Sequence, residues 1–570
     1  MKSLLLDFGS SFVKYSFYDS KTRESSELFS SRFPEPVIDT DGLYEVDHRR
    51  IDDLLLGIMN DAKANECTSV FICVQMHGYL LKCGEQFSNY ISWKDKRGHI
   101  YLDSIEHKGL FSHGTAYKAN LPRLSLRTYP SLDGREFFTL GSYIAYQLTG
   151  NNVTHITDAC AGGLYRAEDL SADNPFEGLS VPTVTREMKP CGKYKGMDIF
   201  PPMGDHQVSF LGVDAQAGRG VLNLGTAAQL SIAVDKDAPC FDGIEYRPYF
   251  EQGKRLATLS GFRSEEGEAF VSQIKNTFDA FGGVRRIMVS GGATDQYAFF
   301  ERALRKLGYR VERYAQTAGN EGLKRIANCV DPLRGTMLSE IEFVNFPLIL
   351  KKEGLDFFII DNEHGIFENK IISALAMNAR HAGVQAIVRL PDNDRTMITK
   401  LADSGVMGFL LPMTNRGSDI EKVIEYAKYS PEGKRGISTT RAHTGYGVAD
   451  LCEYMKLANQ KMKIYAQIET REGVDNLEEI LKLSEVEGIF IGPNDLSCDY
   501  GCMGDKEKIK ELITLICGTC VKIGKPCGII TADKELIKHA LLCGCSMVSS
   551  GSEINMLKAG AQRIARETYL

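Results

Sequence analysis

From about residue 330 onward, short apolar segments recur at regular intervals: RGTML, DFFIID, QAIVRL, GFLLPM, IYAQIE, GIFIGP, PCGII and MVSS. Stretches of helical period, such as ENKIISALAMNARHAG and DKELIKHALLCG, lie between nearly all of them. Apolar runs alternating with helical patterns predict parallel strands joined by crossover helices. Eight such units predict closure into a (β/α)8 barrel, with an open doubly wound sheet as the competing arrangement. The connection between the fourth and fifth strands is longer and carries Gly433–Gly447. Before residue 330 the pattern is mixed α/β. Residues 1–20 read as two strands around Gly9-Ser10-Ser11, and Val70–Val74 is densely apolar. A long helix is predicted from Arg135 to Leu148, closed by Thr149-Gly150. Gly225-Thr226 and Gly291-Gly292 each follow an apolar strand-like run.

At 570 residues the chain is long for a single core, and the change of pattern marks a domain boundary near residue 330. A net charge of −7 offers no basic field to nucleic acid or to an anionic membrane. No apolar run approaches the length of a bilayer span. The opening MKSLLLDFGSS turns acidic too soon for a signal peptide and reads as a buried strand. Of fifteen cysteines, Cys73, Cys527, Cys543 and Cys545 sit in apolar segments. Cys517 and Cys520 form a CxxC inside a helical pattern, with no second pair at zinc spacing. These are core-filling thiols, and a reducing cytoplasmic location fits them.

Functional groups in such a barrel collect at the carboxyl ends of the strands. Those ends carry Asp361-Asn362-Glu363-His364, Arg389, Gln467-Ile468-Glu469 and Gly492-Pro493-Asn494-Asp495. Glu469 and Asp495 are hard oxygen donors suited to Mg2+ or Mn2+ with open positions. His364 suits acid/base work and Arg389 suits a developing oxyanion. The backbone of Gly492-Pro493-Asn494 can hold a carboxylate. Each residue alone reads equally well as a helix cap or an ion-pair partner. Their shared face favours one site.

The segments DFFIIDNEHG, VRLPDNDRTMITKLADSGVMGFLLPM, SPEGKRGISTTRA, QIETREGVDNLEEIL and GIFIGPNDLS resemble the HpcH/HpaI class II aldolases, over residues 333–570. The resemblance implies reversible aldol addition of pyruvate to an aldehyde, or cleavage of a 2-keto-3-deoxy acid. It implies a metal on Glu469 and Asp495 that chelates pyruvate, with Gln467, Gly492, Pro493 and Asn494 around the substrate. Arg389 would stabilise the enolate, and His364, supported by Asp361, would relay the proton. Ser552-Glu553 stands where relatives often carry an Asp, in a loop expected at the entrance. The amphipathic final segment implies a homo-oligomer through the barrel. A citrate-lyase-like C–C lyase is the alternative for this half.

The first half has no GxxxxGK[ST], so its phosphate contacts must come from tight turns between strands. Asp7, Gly9, Ser10, Ser11 and Lys14 form one such turn, Gly225-Thr226 a second and Gly291-Gly292 a third, with Asp205 among them. LLLDFGSSFVKYSFYD, VQMHG, ISWKDKRG, GDHQVSFLG, NLGTAAQLS and IMVSGGATDQ resemble the FGGY carbohydrate kinases, of actin-like (ribonuclease H-like) ATPase fold, over residues 1–328. The resemblance implies Asp205 as the base for a sugar hydroxyl and Asp7 beside the Mg2+ of ATP. The glycine turns would line the nucleotide. Gln75, Met76, His77, Trp93 and Asp95 would border the sugar. The span from Asp205 to Gly291 is short for that family, so the second lobe is reduced. The expectation is a bifunctional carbohydrate kinase and aldolase. A non-catalytic sensing or scaffold role for the kinase-like half is the alternative.

Overall fold

The computed structural model describes residues 1–104, 122–165, 171–213, 219–224, 228–239, 244–250, 253–261, 286–290, 301–302, 304–306, 308–313 and 318–568. The chain forms two compact units, Met1–Val330 and Asp331–Leu570. Among the described residues no helix is long and apolar enough to cross a membrane.

In the first unit, Lys2–Phe8 and Phe12–Asp19 pair antiparallel around the Gly9 turn. Lys2–Phe8 also runs parallel to Ser69–Val74, whose six residues are all buried. Burial on both faces explains why that strand reads as a continuous apolar run. Met203–Gly204 joins Ser69–Val74 in parallel register, Met203 opposite Cys73. A second sheet runs in the order Glu245–Pro248, Lys254–Gly261, Ala228–Asp235, Arg219–Leu224, Arg286–Ser290 and Arg310–Arg313. The helices Asp205–Val213 and Ala318–Val330 pack on each other beside these sheets. The helix expected over Arg135–Leu148 is in fact a strand, Arg135–Thr139, followed by a helix, Leu140–Thr149. Arg135–Thr139 pairs with Tyr79–Cys83, and the Thr139 hydroxyl caps the helix by accepting from the Ser142 amide at 2.9 Å.

The second unit is a closed barrel of eight parallel strands in sequential order, from Leu333–Leu338 to Met547–Ser552. Alternation sorts each strand. Phe357, Ile359, Ile387, Leu410, Tyr465, Phe490 and Met547 fill the interior, while Phe358, Ile360, Val388, Ala466 and Ile489 pack under the helices. Cys517, Cys520, Cys527, Cys543 and Cys545 belong to that outer core as free thiols. The longer fourth connection holds a buried network: Arg435 pairs with Asp403 at 2.7 Å, and Asn459 bonds the Tyr429 backbone.

Candidate active sites

The period of two places the barrel's chemistry. Two residues beyond interior Ile359 stands Asp361, two beyond Ile387 stands Arg389, and beyond Tyr465 come Gln467 and Glu469. Asp361 and Arg389 are register partners on neighbouring strands. The Arg389 guanidinium donates to both Asp361 oxygens, from Nε at 3.0 Å and from Nη2 at 2.8 Å. Its Nη1 lies 2.9 Å from Glu363 Oε2. Burial alone would raise the Asp361 carboxyl, but these bonds outweigh it and hold the group below its ordinary range. Two of the five guanidinium protons remain free of these carboxylates.

Glu469 is 2% exposed. One of its oxygens accepts from the Met413 amide at 2.9 Å and the other from the Gln467 side chain. Burial pushes its carboxyl up to about 7, against the Met413 amide and with repulsion from Asp495 and Glu363. Gly492 matters here because a Cβ would lie 2.5 Å from Glu469 Oε1. Pro493 and Asp495 sit in the first turn of Pro493–Asp499, with Gly492 and Pro493 buried and Asn494 and Asp495 exposed. Among the described residues no three His, Cys, Asp or Glu side chains form a complete cation cage. Glu469 and Asp495 nonetheless fit a hard divalent ion: Glu469 is a carboxylate raised by burial and further by Asp495, and among the described residues Gln467 Oε1 is buried without a hydrogen-bond partner.

Several expectations change. Asp361 does not touch the His364 ring. It accepts the His364 amide at 3.3 Å and is otherwise occupied by Arg389, while the carboxylate beside the exposed ring is Glu363, 3.7 Å from Nε2. Glu553 does not line an open entrance. It is buried, and it accepts the Ser339, Glu340 and Ile341 amides, clamping the loop after the first barrel strand. Met413, at φ 48°, turns its amide onto Glu469, and nothing in the sequence marks it. Glu363 was legible only as a neighbour of His364.

In the first unit, Asp7 and Asp205 come together for a reason of register. Asp7 lies opposite Cys73 in the first parallel pair, and Asp205 directly follows Gly204, which lies opposite Val74. Both carboxylates therefore end up at the carboxyl edge of one sheet. Burial raises Asp7, with relief from the Cys73 thiol at 3.4 Å and from Lys14, its cross-strand neighbour. Burial and then Asp7 push Asp205 up to about 7. Gly319, in the first turn of Ala318–Val330, approaches so closely that a Cβ would lie 2.6 Å from Asp7 Oδ2. The Gly9 amide bonds Phe12 O at 3.1 Å and closes the turn that exposes Ser11 and half-exposes Ser10. Gln75 and Met76 are buried, and His77 adopts φ 71° with Nδ1 3.2 Å from Ala161 O. Trp93 is half-buried. Asp95 is not a polyol contact: it is fully buried and spent on Arg97, at 2.8 Å, and on the Tyr44 amide. Gly225, Thr226, Gly291 and Gly292 lie outside the described residues.

Residues 348–558 match the family model HpcH/HpaI aldolase/citrate lyase. A hydroxypyruvate/pyruvate aldolase of Roseovarius nubinhibens is 31% identical over 217 residues, 38% of this chain and 84% of that protein. A 5-keto-4-deoxy-D-glucarate aldolase of Salmonella arizonae is 29% identical over 219 residues, 38% of this chain and 85% of the relative. Among solved structures, an HpcH/HpaI aldolase from Desulfitobacterium hafniense matches with TM-score 0.40 and 28% identity, over 43% of this chain and 96% of that one. A xylulose kinase from Lactobacillus acidophilus matches with TM-score 0.49 and 15% identity, over 57% and 89%. Through its barrel, the chain belongs to the HpcH/HpaI aldolase/citrate lyase family.

Proposed function

We propose that the chain is a two-step carbohydrate enzyme. Its barrel cleaves or forms a 2-keto-3-deoxy acid, with pyruvate and an aldehyde on the other side of the equilibrium. Its first unit phosphorylates a sugar or sugar acid with ATP. The observation that carries the reading is the convergence of Glu469, Gln467 and Arg389 at one mouth of a family barrel. Mg2+ or Mn2+ held by Glu469 and Asp495 would supply Lewis acidity toward the keto and carboxylate oxygens. In cleavage the 4-hydroxyl gives up its proton, the C3–C4 bond breaks, and its electron pair becomes the pyruvate enolate. The two uncommitted Arg389 protons face that growing negative charge. His364, beside Glu363, carries the proton between solvent and substrate.

In the first unit, Asp205 takes the proton of the acceptor hydroxyl as its oxygen attacks the γ-phosphorus of ATP. The bond to the bridging oxygen breaks and ADP leaves. A carboxylate raised to about 7 is well matched to that task near neutral pH. Asp7, repelled by Asp205, is suited to a water of the nucleotide's Mg2+. The helix Glu553–Thr568 leaves Met556, Leu557 and Ile564 exposed, which supports a homo-oligomer built on the barrel.

The test is the full-length protein with ATP, Mg2+ and 2-keto-3-deoxygluconate, following ADP and pyruvate separately. Pyruvate release that EDTA abolishes and Mg2+ or Mn2+ restores is expected. A lysine–pyruvate adduct trapped by borohydride in the presence of EDTA would refute the metal reading. ADP formation lost in Asp205→Asn is expected for the first unit, and acceptor-independent ATP hydrolysis alone would count against a kinase.

A further inference from the structure

Among the described residues of the first unit, Arg247 is the largest fully buried side chain, and one edge of it meets no hydrogen-bond partner among them. It lies on Glu245–Pro248, the edge strand of the second sheet, with 1% of its surface exposed. Glu245, two residues earlier on the same face, accepts from its Nε at 3.1 Å and from its Nη2 at 2.6 Å through a single oxygen. Nη1 is buried and has no hydrogen-bond partner among the described residues. A buried guanidinium nitrogen left unpaired is costly unless something supplies an acceptor.

The register shows where this face points. Glu245 pairs across the sheet with Thr258, and Thr258 with Ser231. The Ser231 hydroxyl meets Thr258 Oγ1 at 2.9 Å and His206 Nε2 at 2.7 Å. His206 directly follows Asp205. The sheet face bearing Arg247 is therefore packed against the start of the helix that carries the proposed base. The Arg247 charge also reaches this neighbourhood, acting against protonation of His77 and His206 and favouring the ionised form of Asp205.

Among the described residues, a further buried polar group beside Asp205 lacks a hydrogen-bond partner, Gln75 Nε2. Gln75 follows Val74, the residue opposite Gly204. A guanidinium Nη1 and an amide N–H, each lacking an acceptor among the described residues, call for a group that accepts without donating. A carboxylate does this with two oxygens, whereas each hydroxyl brings a proton that needs its own acceptor. One such acceptor is left over, Gln207 Oε1, and it can take a hydroxyl proton.

Resting on the kinase reading above, we propose that the phosphoryl acceptor is a polyol carrying a carboxylate, an aldonate or keto-aldonate. Its carboxylate is received by Arg247 Nη1 and Gln75 Nε2, and its hydroxyls face Asp205 and Gln207. Arg247 is then the residue that separates acid from neutral sugar. A kinase for a sugar acid matches an aldolase whose substrates also carry a carboxylate.

The experiment compares D-gluconate and 2-keto-3-deoxygluconate with D-glucitol and D-xylulose, on the full chain, by ADP release and by calorimetric binding. The acids are expected to bind and turn over in preference to the neutral compounds. Arg247→Met should lower the acid-to-neutral ratio of kcat/KM about 100-fold, the scale of a charge-assisted bond. Because Arg247→Met removes the ion-pair partner of Glu245, the double variant Glu245→Gln/Arg247→Met is measured beside it and should show the same ratio. Preference for the neutral compounds overturns the inference, as does an equal loss for both classes in the double variant. If no compound is phosphorylated, the kinase reading falls by itself. Binding then still decides: tighter binding of gluconate than of glucitol that Arg247→Met abolishes supports the carboxylate site, and equal binding overturns it.

Discussion

Glu469→Gln should make the metal-free protein more stable, and more so as the pH rises. The Glu469 carboxyl is raised from its ordinary 4.5 to about 7, chiefly by burial. The folded state therefore holds this proton more tightly than the unfolded chain does. Stability tied to Glu469 is complete below about 4.5 and is lost as pH rises through about 7. At about 1.4 kcal/mol for each pKa unit, the ionised group costs the fold about 3 kcal/mol at pH 8 and under about 1 kcal/mol at pH 5. An uncharged glutamine avoids that cost. Its carbonyl can still accept the Met413 amide, and the Gln467 amide can rotate to present its unpartnered Oε1. The assay is scanning calorimetry in EDTA across pH 5 to 8. The variant's barrel transition should rise above wild type by about 5 °C or more at pH 8 relative to pH 5, on the usual scale of about 2–4 °C per kcal/mol for a domain of this size. Added Mg2+ or Mn2+ should reverse the ranking by stabilising the wild type alone. A gap constant across pH, or equal stabilisation of both proteins by the metal, would refute the reasoning.

Asp205→Asn should abolish acceptor phosphorylation while ATP still binds, and wild-type kcat/KM should climb with pH through about 7, because the base works only when ionised; a profile flat from pH 5 to 8 contradicts this. Arg389→Met should leave metal binding in place but slow pyruvate proton exchange by about 100-fold, the typical cost of one oxyanion donor; unchanged exchange would remove Arg389 from the chemistry. Asp95→Asn should lower thermal stability by about 2 kcal/mol or more, since it breaks the buried Arg97 pair, with KM for sugar unaltered; a raised KM at unchanged stability would restore it as a sugar contact.

The central barrel strands, such as Phe357–Asp361 and Gly408–Leu411, were legible because they are buried along their whole length and read as apolar runs, whereas Leu333–Leu338 and Met547–Ser552 are partly exposed and were legible by their spacing from the others. Their place at the carboxyl ends of those segments made Asp361, Arg389 and Glu469 legible too, and in the structure each continues an inward-facing series beyond the last apolar residue. The Arg135–Leu148 segment was misread because Phe137 and Phe138 suit a strand or a helix equally, and only pairing with Tyr79–Cys83 decides. The partners of the site were hidden for a similar reason. The Met413 amide is a backbone group, and the Arg389–Glu363 and Asp95–Arg97 pairs depend on side-chain directions that spacing does not fix.

Glu553 holds the Ser339–Ile341 amides from 212 to 214 positions further along the chain. During synthesis at about 5–20 residues per second, that loop leaves the ribosome roughly 10–40 s before its clamp is made. For that interval the Ser339–Ile341 amides lack their carboxylate, however well the preceding strands have paired. The nascent barrel thus lacks this clamp until its final helix begins, and shortening the chain before residue 553 is expected to loosen that rim without removing any residue assigned to the proposed site.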